Sequence, residues 1–370
     1  RLNHFMVSLD AQPEISLVAR LEALQPQSSR IGAVVVNYRT VHHTVDCLRS
    51  MTILEHPPAV IVVVDNSPEE GSLCKLVKAT ALNEKTTLLL YASAQNLGFA
   101  AGCNVGIDRL LENHSCECVL LLNSDAVAQE GIFEALVPTL NQSTTTGLVG
   151  GRVHRLDEPD AVDSLGICLY ASLMPADRKE VGLPYLGPTG SCVLLSRLFI
   201  EDMKKIYGYV FDPRYFCYCE DTDLALRAHL SGYNPDFVDQ LVALHQGQAS
   251  SKKGYNPFIA YQGFRNLIWM FIKLLPFKIF ITHFHLVILA HGLFFIRHLL
   301  SGHPGLVFRA YRDALRESSV FMSERSQLKK IIQHDENKLV TLIAPGFYQK
   351  GYGRRIFVQI ISRYISKDCT

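Results

Sequence analysis

The sequence predicts an α/β fold with a mostly parallel central sheet flanked by helices, followed by a C-terminal helical region. Three observations carry this reading. Apolar runs of strand length alternate with helical stretches over the first 150 residues. Each run is apolar on both faces, as in a parallel sheet covered on two sides. Beyond about residue 264 the alternation gives way to long apolar stretches.

Composition sets the bounds. At 370 residues and 48% hydrophobic, the chain can bury a large core and form about two structural units. A net charge of +1 gives no bulk electrostatic argument for nucleic acid, and no nucleic-acid partner is expected. The ten cysteines are scattered; Cys116/Cys118 and Cys217/Cys219 are too sparse for a structural zinc site. Free thiols in a reducing cytoplasm are expected. Residues 1–29 contain no long apolar core of the secretory kind, and no internal repeat is visible.

Residues 1–29 read as an N-terminal extension, with a helix from Pro13 to Leu24 and a Gln/Pro/Ser linker. Ile31 to Tyr38 is a buried strand, followed by a helix from Thr40, a suitable N-cap, to Met51. Pro57-Pro58 ends that segment. A second buried strand, Ala59 to Ser67, closes on Asp65, Asn66 and Ser67. A helix over 69–80 then leads to a third strand, Thr86 to Tyr91.

Next, Gly98, Gly102 and Gly106 recur every fourth residue from a helix start, just after Asn96 and flanking Asn104. Glycines let the backbone approach a ligand, and amides at a helix N-terminus favour an anion. Tight helix–sheet packing accounts for them equally well. The strand Cys118 to Leu122 runs into Asn123-Ser124-Asp125. This is either an ordinary turn with Asp125 capping the next helix, or a pair of oxygen ligands for a hard cation. The second reading gains from position, because open α/β sheets bind ligands at the carboxyl ends of their strands. A helix from Gln129 to Leu140 and a short strand at Leu148-Val149 complete this half. Four strand ends are therefore polar: Asn37, Asp65/Asn66, Asn96 and Asn123/Asp125. Together they indicate a nucleotide-sized site.

Residues 151–186 lose the alternation and read as an excursion over the sheet edge. Gly187 to Ser196 is a turn feeding a strand, and Phe211 to Phe216 is an aromatic loop. Glu220, Asp221 and Asp223 crowd the first turn of a helix. Capping and the helix dipole favour acids there. Three exceed what capping needs, and one facing the cleft could serve as a general base. A last strand, Phe237 to Leu244, delivers His245, whose imidazole beside an aspartate suits a divalent transition ion.

In these motifs the chain resembles the family-2 glycosyltransferases with a GT-A, or nucleotide-diphospho-sugar transferase, fold. It is most similar to their rhamnosyltransferase-like branch. The resemblance rests on Val-Val-Val-Asn-Tyr (34–38), Val-Val-Asp-Asn-Ser (63–67), Asn-x-Gly-Phe-Ala-x-Gly-x-Asn (96–104), Leu-Leu-Asn-x-Asp-Ala (121–126) and Glu-Asp-Thr-Asp-Leu (220–224), with His245 after them. It extends from about residue 30 to 270. It implies a catalytic domain over 30–260, divided into a nucleotide-sugar half (30–150) and an acceptor half (151–260), with a helical region over 261–370.

The resemblance also implies roles. Asn37, Asp65, Asn66, Asn96, Gly98, Asn104, Asn123 and Asp125 would bind the nucleotide-sugar. Asp125 and His245 would hold Mg²⁺ or Mn²⁺, and Asp221 would be the catalytic base. Gly190, Ser191, Glu220 and Arg265 would meet the acceptor; Tyr261, Arg265 and Asn266 resemble a Tyr…Arg-Asn feature that follows the catalytic domain. Asn123 departs from the usual Asp-x-Asp motif and lowers its negative charge. The implied reaction is inverting transfer of a sugar, first choice L-rhamnose from dTDP-rhamnose, to a glycan or lipid-linked acceptor in bacterial cell-surface polysaccharide synthesis. The alternatives are a UDP-sugar donor (galactofuranose, GlcNAc or similar), a sugar-nucleotidyltransferase, or a non-catalytic glycan- or lipid-binding homologue. The nucleotidyltransferase would want a Gly/Arg-rich triphosphate loop that Val-Val-Val-Asn-Tyr-Arg-Thr is not.

Residues 279–296 are almost wholly apolar, interrupted by His283, His285 and His291 and flanked by Lys273, Lys278, Arg297 and Arg309. They read as helices in a membrane interface, against a true span or a buried helical or dimer interface. The expected location is cytoplasmic, at the inner face of the cytoplasmic membrane, with self-association open. Residues 306–370 read as one or two amphipathic helices with a basic end at Lys350, Arg354 and Arg355.

Overall fold

The computed structural model describes residues 14–23, 30–67, 73, 74, 77, 85–247, 256–331 and 336–353. The expected helix over 69–80, the linker after Leu24, and Arg354 and Arg355 fall wholly or largely outside these residues. The chain divides into two compact units. The first comprises 1–167, 177–181 and 185–254; the second comprises 168–176, 182–184 and 255–370.

The strands of the first unit are β1 (Ile15–Leu21), β2 (Ile31–Asn37), β3 (Val60–Asp65), β4 (Thr87–Ser93), β5 (Cys118–Leu122), β6 (Ala126–Ala128), β7 (Leu148–Arg155), β8 (Val162–Ser164), β11 (Cys192–Ser196) and β12 (Asp236–His245). Its helices are α1 (Val41–Thr52), α2 (Gly98–Asn113), α3 (Ile132–Leu140), α4 (Arg197–Tyr207) and α5 (Glu220–Leu230). β9 (Ile167–Tyr170) and β10 (Pro175–Asp177) lie at the passage between the units.

One sheet holds the first unit together, in the order β1-β4-β3-β2-β5-β11-β7-β12-β6, with β8 on β7. β4, β3, β2 and β5 run parallel. Every residue of β3 and β5 is buried, as their unbroken apolar runs require. Each buried Val, Leu or Ile side chain contributes about 1.5–3 kcal/mol relative to exposure. The expected parallel sheet is therefore found in this half. The other half is mixed. β11 runs antiparallel to β5 and β7, and β6 antiparallel to β12. The reason is topological: β11 is reached through the 151–191 excursion rather than a helical crossover, so nothing forces a parallel return.

Two local expectations are corrected. Residues 15–21 form an edge strand, not a helix, pairing antiparallel with β4 from Ile15↔Ser93 to Leu21↔Leu88. Leu17 and Val18 are exposed, so backbone bonds to an otherwise open sheet edge decide the conformation. And Asp125 caps no helix: β6 intervenes, and α3 begins only at Ile132.

In the second unit, α6 (Pro257–Leu274) starts at Asn256, whose Oδ1 accepts from the amides of Phe258 and Ile259. α7 (Phe277–Leu300), α8 (Pro304–Arg316), α9 (Ser318–Ile331) and α10 (Glu336–Thr341) follow, then β13 (Ile343–Ala344), which pairs with Leu169 and Tyr170 of β9. α6 is mostly buried, and Trp269 stacks on Phe321 of α9. α7 differs: it is long and apolar enough to cross a membrane, yet only 17% of its most apolar window is buried.

Candidate active site at the carboxyl edge of the sheet

The parallel register sets Asn37 beside Asp65 at the ends of β2 and β3. Asn37 is fully buried. Its Nδ2 donates to Asp65 Oδ1 (2.8 Å) and Ser67 Oγ (3.2 Å); its Oδ1 accepts from the Thr40 amide, Thr40 Oγ1 and Thr44 Oγ1. The side chain thus braces the loop and orients Asp65. Asp65 Oδ1 also accepts from the amide and hydroxyl of Ser67. Asn66 Nδ2 donates to the Gly98 carbonyl at 2.9 Å, while its buried Oδ1 has no partner among the described residues.

At the start of α2, Asn96 Oδ1 accepts from the Gly98 amide (2.9 Å) and the Phe216 carbonyl accepts from Ala100 (3.1 Å). Two amides expected to favour an anion are therefore used inside the protein. The glycines answer to packing. Gly98 has φ +80°, and a Cβ there would meet the Phe216 carbonyl at 2.5 Å; at Gly106 it would meet Val34 at 2.3 Å. Asn104 clamps Phe211, donating to its carbonyl at 2.6 Å and accepting from its amide at 2.9 Å. Asn104 thereby ties α2 to the aromatic loop.

The β6–β12 ladder builds the next cluster. It pairs Ala126 with His245, and the Gln246 amide donates to the Asp125 carbonyl at 2.9 Å. Asp125 is thereby held next to His245, with Nε2 at 3.2 Å from Asp125 Oδ1. Asn123 Nδ2 lies 3.4 Å from the same nitrogen, and Asn123 Oδ1 is buried without a partner among the described residues. The other ring nitrogen, Nδ1, is 2.7 Å from Asp163 Oδ2. Burial opposes charge on this ring, but hydrogen bonds and charge from Asp125 and Asp163 outweigh it and raise the imidazole from 6.5 to about 10. Among the described residues no three His, Cys, Asp or Glu side chains form a ready metal cage. The donor set nevertheless fits a cation completed from outside: the Asp125 carboxylate and the His245 imidazole meet, with the Asn123 amide beside them.

Asp221 stands on the first turn of α5 and is half-buried. Its Oδ2 accepts from the Gly190 amide (3.1 Å), its Oδ1 from the Thr222 amide (2.7 Å) and hydroxyl (3.3 Å). Burial raises its carboxyl above the usual range, and these bonds pull it part of the way back. The other two acids have different duties. Asp223 is fully buried against Arg227 at 2.6 Å, a structural ion pair. Glu220 is buried with Oε2 unpartnered among the described residues; burial, then the Asp221 charge, push its carboxyl well up, which favours the neutral acid. The segment leading in is strained: Phe216, Tyr218 and Cys219 take φ of +65°, +69° and +68°. Left-handed backbone costs such residues about 1–2 kcal/mol each.

This chemistry accompanies a family assignment. The profile described as glycosyltransferase like family 2 matches residues 26–257. The chain belongs to that family. Its fold is the GT-A class that the motifs implied. Similar curated proteins include the N-acetylglucosaminyl-diphospho-decaprenol L-rhamnosyltransferase of Mycobacterium tuberculosis, 25% identical over 243 residues, covering 58% of this chain and 75% of that protein. Another is the low-salt glycan biosynthesis hexosyltransferase Agl10 of Haloferax volcanii, 27% identical over 184 residues, covering 47% of this chain and 57% of that one. Solved structures with some likeness include Staphylococcus aureus TarS with UDP-GlcNAc (14% identity, TM-score 0.49, 81% and 91% covered). A mannosyltransferase from Pyrobaculum calidifontis with GDP-Man and Mn²⁺ is similar at 16% identity, TM-score 0.47, with 83% and 87% covered.

In this glycosyltransferase, Gly190 supplies an amide to Asp221, and a Cβ at Gly190 would crowd Phe99 at 3.1 Å. Ser191 is buried, bonded to Thr189 through its hydroxyl (2.7 Å) and to the Asn123 amide through its carbonyl (3.0 Å). It links the Asp221 and Asp125 regions rather than facing outward. Arg265 lies in the second unit. Its guanidinium bonds Asn266 Oδ1 and stacks over Trp269 at 4.2 Å. The sequence reading missed Asp163 and Thr222. Thr222 was legible as the middle of Glu-Asp-Thr-Asp. Asp163 sat in the irregular 151–186 stretch and carried no pattern.

Proposed function

We propose that this glycosyltransferase catalyses inverting transfer of a sugar from a nucleotide-diphospho-sugar to an acceptor hydroxyl, with the first unit as the catalytic domain. The observation that carries this reading is Asp221, a half-buried carboxylate whose pKa is raised and whose oxygens are oriented by Gly190 and Thr222. Such a group is fixed in place yet retains lone pairs for one further proton. Asp221 takes the acceptor O–H proton as that oxygen bonds to the anomeric carbon. The bond from the anomeric carbon to the diphosphate oxygen breaks on the opposite face. Asp65, braced by Asn37, and Asn66, with its orphaned oxygen, offer acceptors for the nucleoside. Asp125 and His245 would hold Mg²⁺ or Mn²⁺, which would supply neutralisation of the charge on the leaving diphosphate.

The donor we propose is dTDP-L-rhamnose, supported by the relative named as a rhamnosyltransferase; UDP-sugars are the second choice. That relative's name also supports a lipid-diphosphate-linked glycan as acceptor, and hence work on a cell-envelope polysaccharide at the inner face of the cytoplasmic membrane. The exposed apolar face of α7 supports peripheral membrane contact through the second unit. The deciding experiment is a panel of dTDP-rhamnose, UDP-GlcNAc and UDP-galactofuranose with Mn²⁺ or Mg²⁺, following nucleotide release and binding. Release from dTDP-rhamnose alone is expected. Absence of binding to every member would sink the reading.

A further inference from the structure

We infer that Asp163 is a positioning residue for His245: it fixes the ring so that Nε2 faces the Asp125–Asn123 cluster as a metal-binding nitrogen. The inference rests on the proposal that this cluster takes a divalent cation.

The placement is a product of two strand pairings on one frame. β7 pairs with β8 through Val153↔Ser164 and His154↔Val162. It pairs in parallel with β12 through Leu244↔His154 and His245↔Arg155. Asp163, in the middle of β8, and His245, at the end of β12, are therefore carried by two partners of the same strand. Asp163 is anchored further, since Lys179 Nζ donates to its backbone carbonyl. Its carboxylate meets His245 Nδ1 at 2.7 Å, the shorter of the ring's two carboxylate contacts; Asp125 Oδ1 lies at 3.2 Å from Nε2.

The chemistry follows from what each nitrogen can do. A carboxylate at Nδ1 can only accept, so it keeps the proton on Nδ1. That leaves Nε2 as the nitrogen whose lone pair is available to a cation, and it is Nε2 that sits beside Asp125 and Asn123. Turning the ring over would put Cδ2–H in place of Nδ1–H against the Asp163 carboxylate and lose that hydrogen bond. Asp163 also makes the imidazole a better donor to a cation, as carboxylates behind metal-bound histidines do; losing such a partner typically weakens metal binding by about 10–100-fold. The His245 side chain is 13% exposed and that of Asp163 28%.

Titration of Mn²⁺ followed by electron paramagnetic resonance, with and without dTDP or UDP, tests the inference without reference to turnover. Four proteins are compared: wild type, His245→Ala, Asp163→Ala and Asp163→Asn. Asp163→Ala is expected to weaken Mn²⁺ binding about 10–100-fold. Asp163→Asn, which keeps an acceptor oxygen for Nδ1–H and loses the charge, should fall between it and wild type. If Asp163→Ala does not fold, the Asn variant carries the test. Nitrogen-15 shifts of His245 should report the Nδ1–H tautomer in metal-loaded wild type and a mixture in Asp163→Ala. Weak binding in His245→Ala with wild-type affinity in both folded Asp163 variants overturns the inference and leaves the metal site standing. Wild-type affinity in His245→Ala overturns the metal assignment itself.

Discussion

Asp221 is the residue on which the proposed reaction turns. Replacing it with asparagine keeps the size and one of the two amide contacts, turns the other oxygen into an N–H donor, and removes the base. Asp221→Asn is expected to bind donor as wild type does and to lose about 10²–10⁴-fold in turnover, read by steady-state kinetics beside nucleotide titration. Retained turnover would falsify the assignment. His245 gives a prediction with a definite sign. In the metal-free protein its imidazole is raised from 6.5 to about 10, so the folded chain binds that proton more tightly than the unfolded one. The resulting stabilisation is fully present below about pH 6.5 and disappears as pH rises through about 10. Urea unfolding of wild type and His245→Gln in chelator should therefore show a stability gap that shrinks across that interval. A gap that widens would mean the ring is not held between two carboxylates. The residue scale is also where local sequence says least about what a side chain touches. Asn37 and Asn104 stand in motif positions, but what an amide touches depends on loops brought in from elsewhere, Thr40–Ser67 in one case and Phe211 in the other.

At the scale of elements the sequence was far more informative, because strands buried on both faces cannot hide: β2, β3 and β5 stand within two residues of expectation. The failures share a cause. β1 lies at the sheet edge and β6 has only three residues, and each is held by pairing to a distant strand rather than by its own pattern. No window of local sequence contains that information. The α2 glycines became readable once their neighbours were known. Gly106 faces Val34 with no room for a methyl group, and Gly102 faces Val36 at 2.9 Å. Gly106→Ala is expected to cost about 1–3 kcal/mol through overpacking against β2, measured by denaturant unfolding. An unchanged midpoint would show that β2 yields to the extra atom at no cost.

For the molecule as a whole, the second unit raises the question of where the protein works. α7 leaves Phe277, Ile281, Phe284, Ile288 and Ile296 largely exposed, spaced three, four or eight residues apart along one helix. So much exposed apolar surface on one element marks an interaction face. The proposed partner is a bilayer. Full-length protein should co-sediment with vesicles containing anionic lipid, and Ile281→Glu with Ile288→Glu should return most of it to the supernatant. Equal partitioning of both proteins would remove the membrane from the account. The apolar run was plain in the sequence; that it lies mostly uncovered was not, because exposure depends on which helices pack beside it.

The β6–β12 ladder has a consequence for the order of folding. Asp125 and His245 are 120 residues apart in the chain, so their contact closes a very long loop. Such contacts gain nothing until intervening elements have formed, and they come late. The parallel core from β2 to β5 can assemble from local crossovers well before. In a refolding experiment, the far-ultraviolet signal should recover ahead of Mn²⁺ binding, and a nicked chain would look folded while lacking the site altogether.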